Sequence, residues 1–141
     1  MLAQNFKTAD ELGLEPDHYE ALIKLLGMFE RNEIEHRELV EGDAFTDYCL
    51  PWRSPDKDFK FNMTTYAAHS SCGTVMCIHG WTQMLAGRML PHPYEVKAAK
   101  LPRLSYYQLC HPDNKDDWNA LGVEEAAGAL RSYLTTGASD W

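Results

Sequence analysis

Cysteine and histidine side chains are concentrated in one short stretch of the chain, residues 69–87, which reads HSSCGTVMCIHGWTQMLAG. Cys72 and Cys77 are five residues apart, and His79 follows two residues later. Thiolates and imidazoles act as nucleophiles, as proton acceptors and as zinc ligands. The stretch is therefore compatible with a reactive site, a metal site or simply the beginning of a buried helix.

A thiol enzyme is the first chemical interpretation of this stretch. Cys72 lies at the start of a predicted helix, where free N–H groups and the helix dipole favour the thiolate. The segment SCGTVMC is superficially similar to the helix-borne nucleophile of papain and NlpC/P60 cysteine hydrolases. A base would come from His69, His92 or His111, and Asp113 or Asn114 could orient His111. The candidate catalytic set is Cys72, His111 and Asp113. Against it, those hydrolases take their histidine from a β-sheet, whereas the residues that follow here are predicted to be loop and helix.

A structural zinc site is the second interpretation. The least strained ligand set is Cys72, Cys77 and Cys110 with one histidine, here His69. The Cys-x4-Cys spacing is at the outer limit for zinc knuckles, and the intervening GTVM is predicted to enter a helix. Zinc is therefore not the favoured interpretation, and Cys77 is more simply explained as a small apolar residue of the core.

The predicted helix over residues 72–89 determines how these side chains relate to one another. On a helical wheel Cys72 and Cys77 are about 140° apart, with Cα atoms ~8 Å apart, too far for an unstrained disulfide. Cys77 lies on the apolar side and His79 on the opposite side. Cys72 and His79 are two turns, roughly 10 Å, apart, so they cannot exchange a proton directly.

The remaining pattern predicts a mainly α fold, a single domain over residues 1–141 built around the apolar 72–89 helix. Residues 1–60 are expected to supply an acidic helix and an irregular segment, and residues 61–137 the helical core. Apolar steps of three and four predict helices from Pro16 to about Asn32 and from Val123 to Gly137, with a short helix after Ser105. Residues 34–62 are consistent with a small β-hairpin followed by a loop.

Charge is distributed unevenly along the 141 residues. Residues 1–58 hold 14 acids and 6 bases, a net of −8, whereas residues 59–141 hold 7 of each. This argues against nucleic-acid binding, which needs a basic surface, and is compatible with a basic protein partner. The sequence has no run of ~18 apolar residues, so no membrane span is predicted. The first residues lack signal-peptide features, so a cytoplasmic location with reduced cysteines is expected.

Two further motifs resemble a set of small bacterial and phage proteins. Phe61, Met63 and Tyr66 form an F-x-M-x-x-aromatic pattern, and residues 72–81 form C-G-T-x-x-C-I-x-G-aromatic. A final helix of the V-x-x-x-A-A-x-x-L…T-G type, residues 123–137, completes the resemblance. It implies a small protein of phage or mobile-element origin and carries over no activity.

Taken together, the sequence favours a non-enzymatic protein-interaction factor whose acidic first part contacts a partner. A thiol enzyme using Cys72 and a small zinc-binding protein remain the alternatives. No membrane association is expected.

Overall fold

The computed structural model describes residues 5–38, 46–47, 59–63, 68–70, 73–87 and 104–141, and gives the backbone alone for 46–47, 59, 68–70, 73–76 and 104. Helices make up most of the regular structure, which confirms the predicted mainly α fold. They are α1 (Ala9–Leu12), α2 (Pro16–Glu30), α3 (Ile78–Leu85), α4 (Leu104–Cys110) and α5 (Val123–Thr136), with a 3-10 turn at Trp118–Ala120. The strands are β1 (Thr46–Asp47), β2 (Phe59–Phe61), β3 (Ala68–Ser70) and β4 (Gly73–Met76).

Helix α2 packs against both α3 and α5. Pro16 occupies its first turn, where no backbone N–H is needed, and its apolar stripe is buried along Leu22, Leu25, Leu26 and Phe29. On α5 the facing stripe is buried at Ala126, Ala129, Leu130, Tyr133 and Leu134. Both helices confirm their predictions. Helix α5 ends at Thr136, and the next residue, Gly137, has a φ of 84°, which suits glycine.

The predicted helix over 72–89 is wrong in its first part. Residues Gly73–Met76 form β4, and α3 begins only at Ile78, after Cys77 in an extended conformation with φ −78° and ψ −178°. Helix α3 ends at Leu85, followed by Gly87 at φ 75°. Strand β4 pairs with β2 on one side and with β3 on the other. Its backbone groups are therefore hydrogen-bonded across the sheet and not along a helix, as the local apolar pattern had predicted. The wheel-based angles and distances among Cys72, Cys77 and His79 therefore do not hold.

The sheet has the order β1-β3-β4-β2. Strands β3 and β4 are antiparallel, with Ser70 opposite Gly73, and only residues 71 and 72 separate them along the chain. Strand β2 runs parallel to β4, with Phe61 opposite Met76. The two described strands of residues 34–62 do not pair with each other, because β1 and β2 lie at opposite edges of the sheet and pair with later strands. The rest of the segment predicted to hold a hairpin, residues 39–45 and 48–58, lies outside the described residues.

Residues at the end of β2 join the sheet to the helices. The Phe61 ring lies edge-on to Phe29 of α2 at 5.1 Å, and the indole Nε1 of Trp81 donates to the carbonyl of Lys60 at 3.0 Å. The amide Nδ2 of Asn62, fully buried, donates to Arg37 O at 2.8 Å and to Asn119 Oδ1 at 2.7 Å. Each large apolar side chain buried here contributes about 1.5–3 kcal/mol.

None of the described helices has both the length and the apolar character needed to cross a bilayer.

Candidate functional site

A group of titratable side chains lies inside the helical layer, where most neighbours are apolar. We call it the interior polar cluster. It comprises His18 of α2, Cys77 and His79 at the start of α3, and Tyr106 and Cys110 of α4. His18, Cys77, Tyr106 and Cys110 are each buried, and His79 is partly buried. Helix packing thus brings together residues that are up to 92 positions apart in the chain.

Tyr106 is the centre of this cluster. Its hydroxyl and the Nδ1 of His79 form a hydrogen bond of 2.7 Å. The ring of His18 lies edge-on to the Tyr106 ring with centroids 4.7 Å apart, and Tyr133 of α5 approaches from another side at 6.1 Å. Edge-to-face arrangements of this kind are favourable beyond the area they bury. One phenol ring therefore contacts three helices in addition to its own.

Both described thiols are in the protonated form at neutral pH. Burial raises the pKa of Cys110 strongly, and the neighbouring Cys77 raises it further, while a hydrogen bond with Tyr106 acts weakly in the opposite direction. Burial also raises the pKa of Cys77. The backbone N–H groups of Gly80 and His79 oppose that shift without forming a regular cap hydrogen bond, and burial prevails. Burial and the adjacent Cys110 raise the pKa of Tyr106 as well. Because the thiolate is the nucleophile, neither cysteine is activated.

The structure places part of the predicted zinc set together. Cys77 and Cys110 are free, buried and near enough to influence each other's ionisation. His69 belongs to β3, for which only the backbone is described, and Cys72 lies outside the described residues. Within the described part of the chain, no three His, Cys, Asp or Glu side chains are arranged to hold a metal ion.

The predicted catalytic set is tested less fully, since its nucleophile Cys72 is outside the described residues. His111 follows α4, and its ring stacks on Tyr107 with centroids 4.2 Å apart. Its Nδ1 lies 3.3 Å from the carbonyl oxygen of Tyr107. Asp113 is exposed and, among the described residues, forms no hydrogen bond with His111. The described geometry thus pairs His111 with a backbone carbonyl and not with a carboxylate.

Sequence analysis missed His18 and Tyr106 as members of the interior cluster. His18 lies four residues before Leu22 and seven before Leu25, so it continues the apolar stripe of α2. Tyr106 precedes Leu109 and Cys110 by three and four residues, which is the same signal on α4. A histidine or tyrosine that continues the apolar stripe of a helix is the sequence signal that would have identified His18 and Tyr106 as buried residues.

The described surface carries a contrasting feature, an excess of exposed carboxylates. All nine acids within residues 5–38 are exposed. Five of them lie between positions 10 and 20, a stretch without any lysine or arginine, and we call these residues the acidic face: Asp10, Glu11, Glu15, Asp17 and Glu20. Hydrogen bonds from the backbone and side chain of Thr8 lower the pKa of Glu11, so its charge is maintained.

Several basic side chains in the described part are already paired with acids. Arg31 contacts Glu33 at 2.6 Å, and Lys60 contacts Glu35 at 2.8 Å. Arg131 of α5 binds Glu30 of α2, with its Nε 3.0 Å from the carboxylate. These pairs neutralise positive charge at the surface, and as exposed pairs each adds only about 0–1 kcal/mol to stability.

Comparison with protein-family models, with curated proteins and with solved structures finds no match for this chain. The motif resemblance to small bacterial and phage proteins gains no support from these comparisons and stays a prediction.

Proposed function

We propose that this protein is a non-enzymatic interaction factor whose acidic face binds a basic surface of a protein partner. The observation that carries the proposal is the acidic face itself: five exposed carboxylates in eleven residues, with no lysine or arginine among them. The nearest cation, Lys7, lies 4.0 Å from Glu11. Complementary charge steers two proteins together and determines which partner is accepted.

The same charge distribution disfavours a polyanion as the partner. Binding to a nucleic-acid backbone requires lysine and arginine to replace counterions along the phosphates. Arg31, Lys60 and Arg131 are engaged with carboxylates, so their charge is not available to phosphates. A basic protein surface is the occupant that the described charges fit.

The interior polar cluster supports the non-enzymatic part of the proposal. Cys77 and Cys110 are buried, and burial raises the pKa of each thiol. A thiol enzyme would therefore depend on Cys49 or Cys72, which both lie outside the described residues, and a zinc site would need ligands beyond Cys77 and Cys110. Both alternatives stay predictions, with tests given in the Discussion.

A salt-dependent pull-down tests the proposal. The immobilised chain is exposed to a lysate of the source organism at 50 and 300 mM salt, and retained proteins are identified by mass spectrometry. We expect a basic protein to be retained at low salt and lost at high salt, because surface charge is screened within ~8 Å at physiological ionic strength.

Matched double variants localise the interaction. The test variant is Asp10→Asn with Glu20→Gln, and the control is Glu38→Gln with Glu124→Gln, which removes two exposed charges elsewhere. At about 0.2–1 kcal/mol per charge, the test variant should bind about 2- to 30-fold more weakly, and the control should bind like the original chain. Equal binding by the two variants, or no salt-sensitive partner, would refute the proposal.

A further inference from the structure

The first described part of the chain, residues 5–14, precedes α2 and includes the short helix α1; we call it the arm. The Lys7 amide of the arm donates to the carbonyl of Leu134 in α5 at 2.7 Å. The hydroxyl of Tyr19 in α2 donates to the carbonyl of Lys7 at 2.7 Å. The backbone of one residue therefore joins the arm to both long helices.

Side chains of the arm add further contacts with the rest of the fold. The guanidinium carbon of Arg131 lies 5.8 Å from the centroid of the Phe6 ring, and Arg131 also binds Glu30 of α2. A cation over an aromatic face at this distance is attracted to the ring. At the other end of the arm, Leu12 and Leu14 are buried in the core. The arm is thus held by polar and aromatic contacts at its beginning and by apolar burial at its end.

Helix α1 depends on these contacts for its own stability. It has four residues, Ala9–Leu12, all of them described, and Leu12 is the one that is buried. A capping box between Thr8 and Glu11 satisfies backbone amides at its first turn. Isolated helices shorter than about 12 residues are marginal in water, so the cap alone does not hold these four residues in a helix. When the arm leaves the core, α1 therefore unfolds with it.

Gly13 provides the point at which the arm turns into α2. Its φ is 70°, a left-handed conformation that glycine adopts without strain. Its amide donates to Asp10 O at 3.1 Å, and the Leu14 amide donates to Ala9 O at 2.9 Å. Both bonds are internal to the arm, so they are lost when α1 unfolds and do not tie the arm to α2.

We propose that the arm opens and closes as one cooperative unit while the rest of the fold stays intact, and that the Tyr19 hydroxyl holds it closed. Segments with few buried side chains open at a lower free energy than the core does. Asp10 and Glu11 of the acidic face lie on the arm, whereas Asp17 and Glu20 lie on α2. Opening therefore divides the acidic face into two parts, and closing reassembles it. Only this consequence for partner binding rests on the proposed function, since the opening itself requires no partner.

Native-state hydrogen exchange of the ¹⁵N-labelled full chain tests the proposal. The reporters are the four hydrogen-bonded amides of the arm, those of Lys7, Leu12, Gly13 and Leu14. We expect them to share one protection factor, lower than that of the amides in the middle of α2 and α5, because all four exchange through the same opening. Four unrelated protection factors, or protection equal to that of the two long helices, would overturn the proposal.

The variant Tyr19→Phe tests whether the two ends of the arm are coupled. It removes the hydrogen bond to Lys7 O and changes no charge. Exchange of all four amides should become about 2- to 10-fold faster, including those of Leu12 and Leu14, which donate to other carbonyls. If only the Lys7 amide exchanges faster, α1 opens by itself and the cooperative arm is refuted.

The matched control is Tyr106→Phe, which removes a phenol oxygen from the interior polar cluster. The hydrogen bond of Tyr106 with His79 lies outside the arm and is kept when the arm opens. The control should therefore lower the stability of the whole chain and leave exchange of the four arm amides unchanged. Faster exchange of the arm in Tyr106→Phe would mean that these amides exchange by global unfolding, and the proposal would fail. Both measurements are made without a partner, so a failure here is distinguishable from a failure of the proposed function.

Discussion

Removing one oxygen atom from the interior polar cluster gives the sharpest test of its structure. Tyr106 is 4% exposed, and its hydroxyl is hydrogen-bonded to the Nδ1 of His79 at 2.7 Å. The substitution Tyr106→Phe keeps the ring and its edge-on contact with His18 but removes this hydrogen bond. It therefore isolates the polar contribution of the cluster from its packing.

The expected loss of stability in Tyr106→Phe follows from the hydrogen bond that is removed and from the partner that is left without it. A net hydrogen bond contributes about 0.5–1.5 kcal/mol, and leaving a buried partner unsatisfied costs about 1–3 kcal/mol. We therefore expect Tyr106→Phe to lower the free energy of unfolding by about 1–3 kcal/mol. With a urea m value of about 2 kcal/mol/M, the midpoint should fall by about 0.5–1.5 M.

The neighbouring residue provides the control. Tyr107 is on the same helix, is half exposed, and its hydroxyl forms no hydrogen bond with the described residues. Tyr107→Phe should therefore change stability by no more than about 0.5 kcal/mol. Urea unfolding of both variants, followed by circular dichroism, measures the difference. If Tyr106→Phe unfolds at the same urea concentration as Tyr107→Phe with the same m value, the hydrogen-bonded cluster is refuted.

Three further predictions concern protons, thiols and metal. Burial raises the pKa of Tyr106 and Cys110, so the folded chain holds these protons more tightly than the unfolded chain. The stability that these two groups contribute should be unchanged from pH 7 to about pH 8.5 and should fall above it, and equal urea midpoints at pH 7 and pH 10 would contradict this. Cys77 and Cys110 should resist iodoacetamide at pH 8 until urea is added, as mass spectrometry of the labelled peptides will show. Rapid labelling of Cys72 at a pH well below its ordinary pKa of ~8.5 would instead favour the thiol-enzyme alternative. Metal analysis should find less than about half an equivalent of zinc, and a full equivalent would revive the zinc site.

Some of the fold could be predicted because its signals are local. The stripe of α2 repeats every three or four residues, and Pro16 marks its first turn, so one stretch of sequence suffices to locate it. The same is true of α5, where Gly137 provides the stop. In both helices the apolar period and the end signals agree, which leaves little freedom for another assignment.

Residues 73–76 show where local signals fail. The segment GTVM precedes a strongly apolar helix, so its pattern extends that helix backward; it also contains the β-branched Thr74 and Val75, which favour a strand. The choice is made by partners elsewhere in the chain, because β2 and β3 supply hydrogen bonds on both edges of β4. Residues 69–89 do not include β2, so the pattern within that stretch could not predict the parallel pairing of β2 with β4.

The sequence by itself determined the uneven charge and the two long amphipathic helices, since charge depends on composition alone and helical periodicity on neighbours within four residues. Only the tertiary structure decided that Cys77 and Cys110 lie together with His18, His79 and Tyr106. Their proximity results from the packing of α2, α3 and α4, and the protonation of the thiols results from loss of water around them. Desolvation is a property of the whole fold, so the burial that raises the pKa of Cys77 and Cys110 could not be derived from their spacing in the sequence.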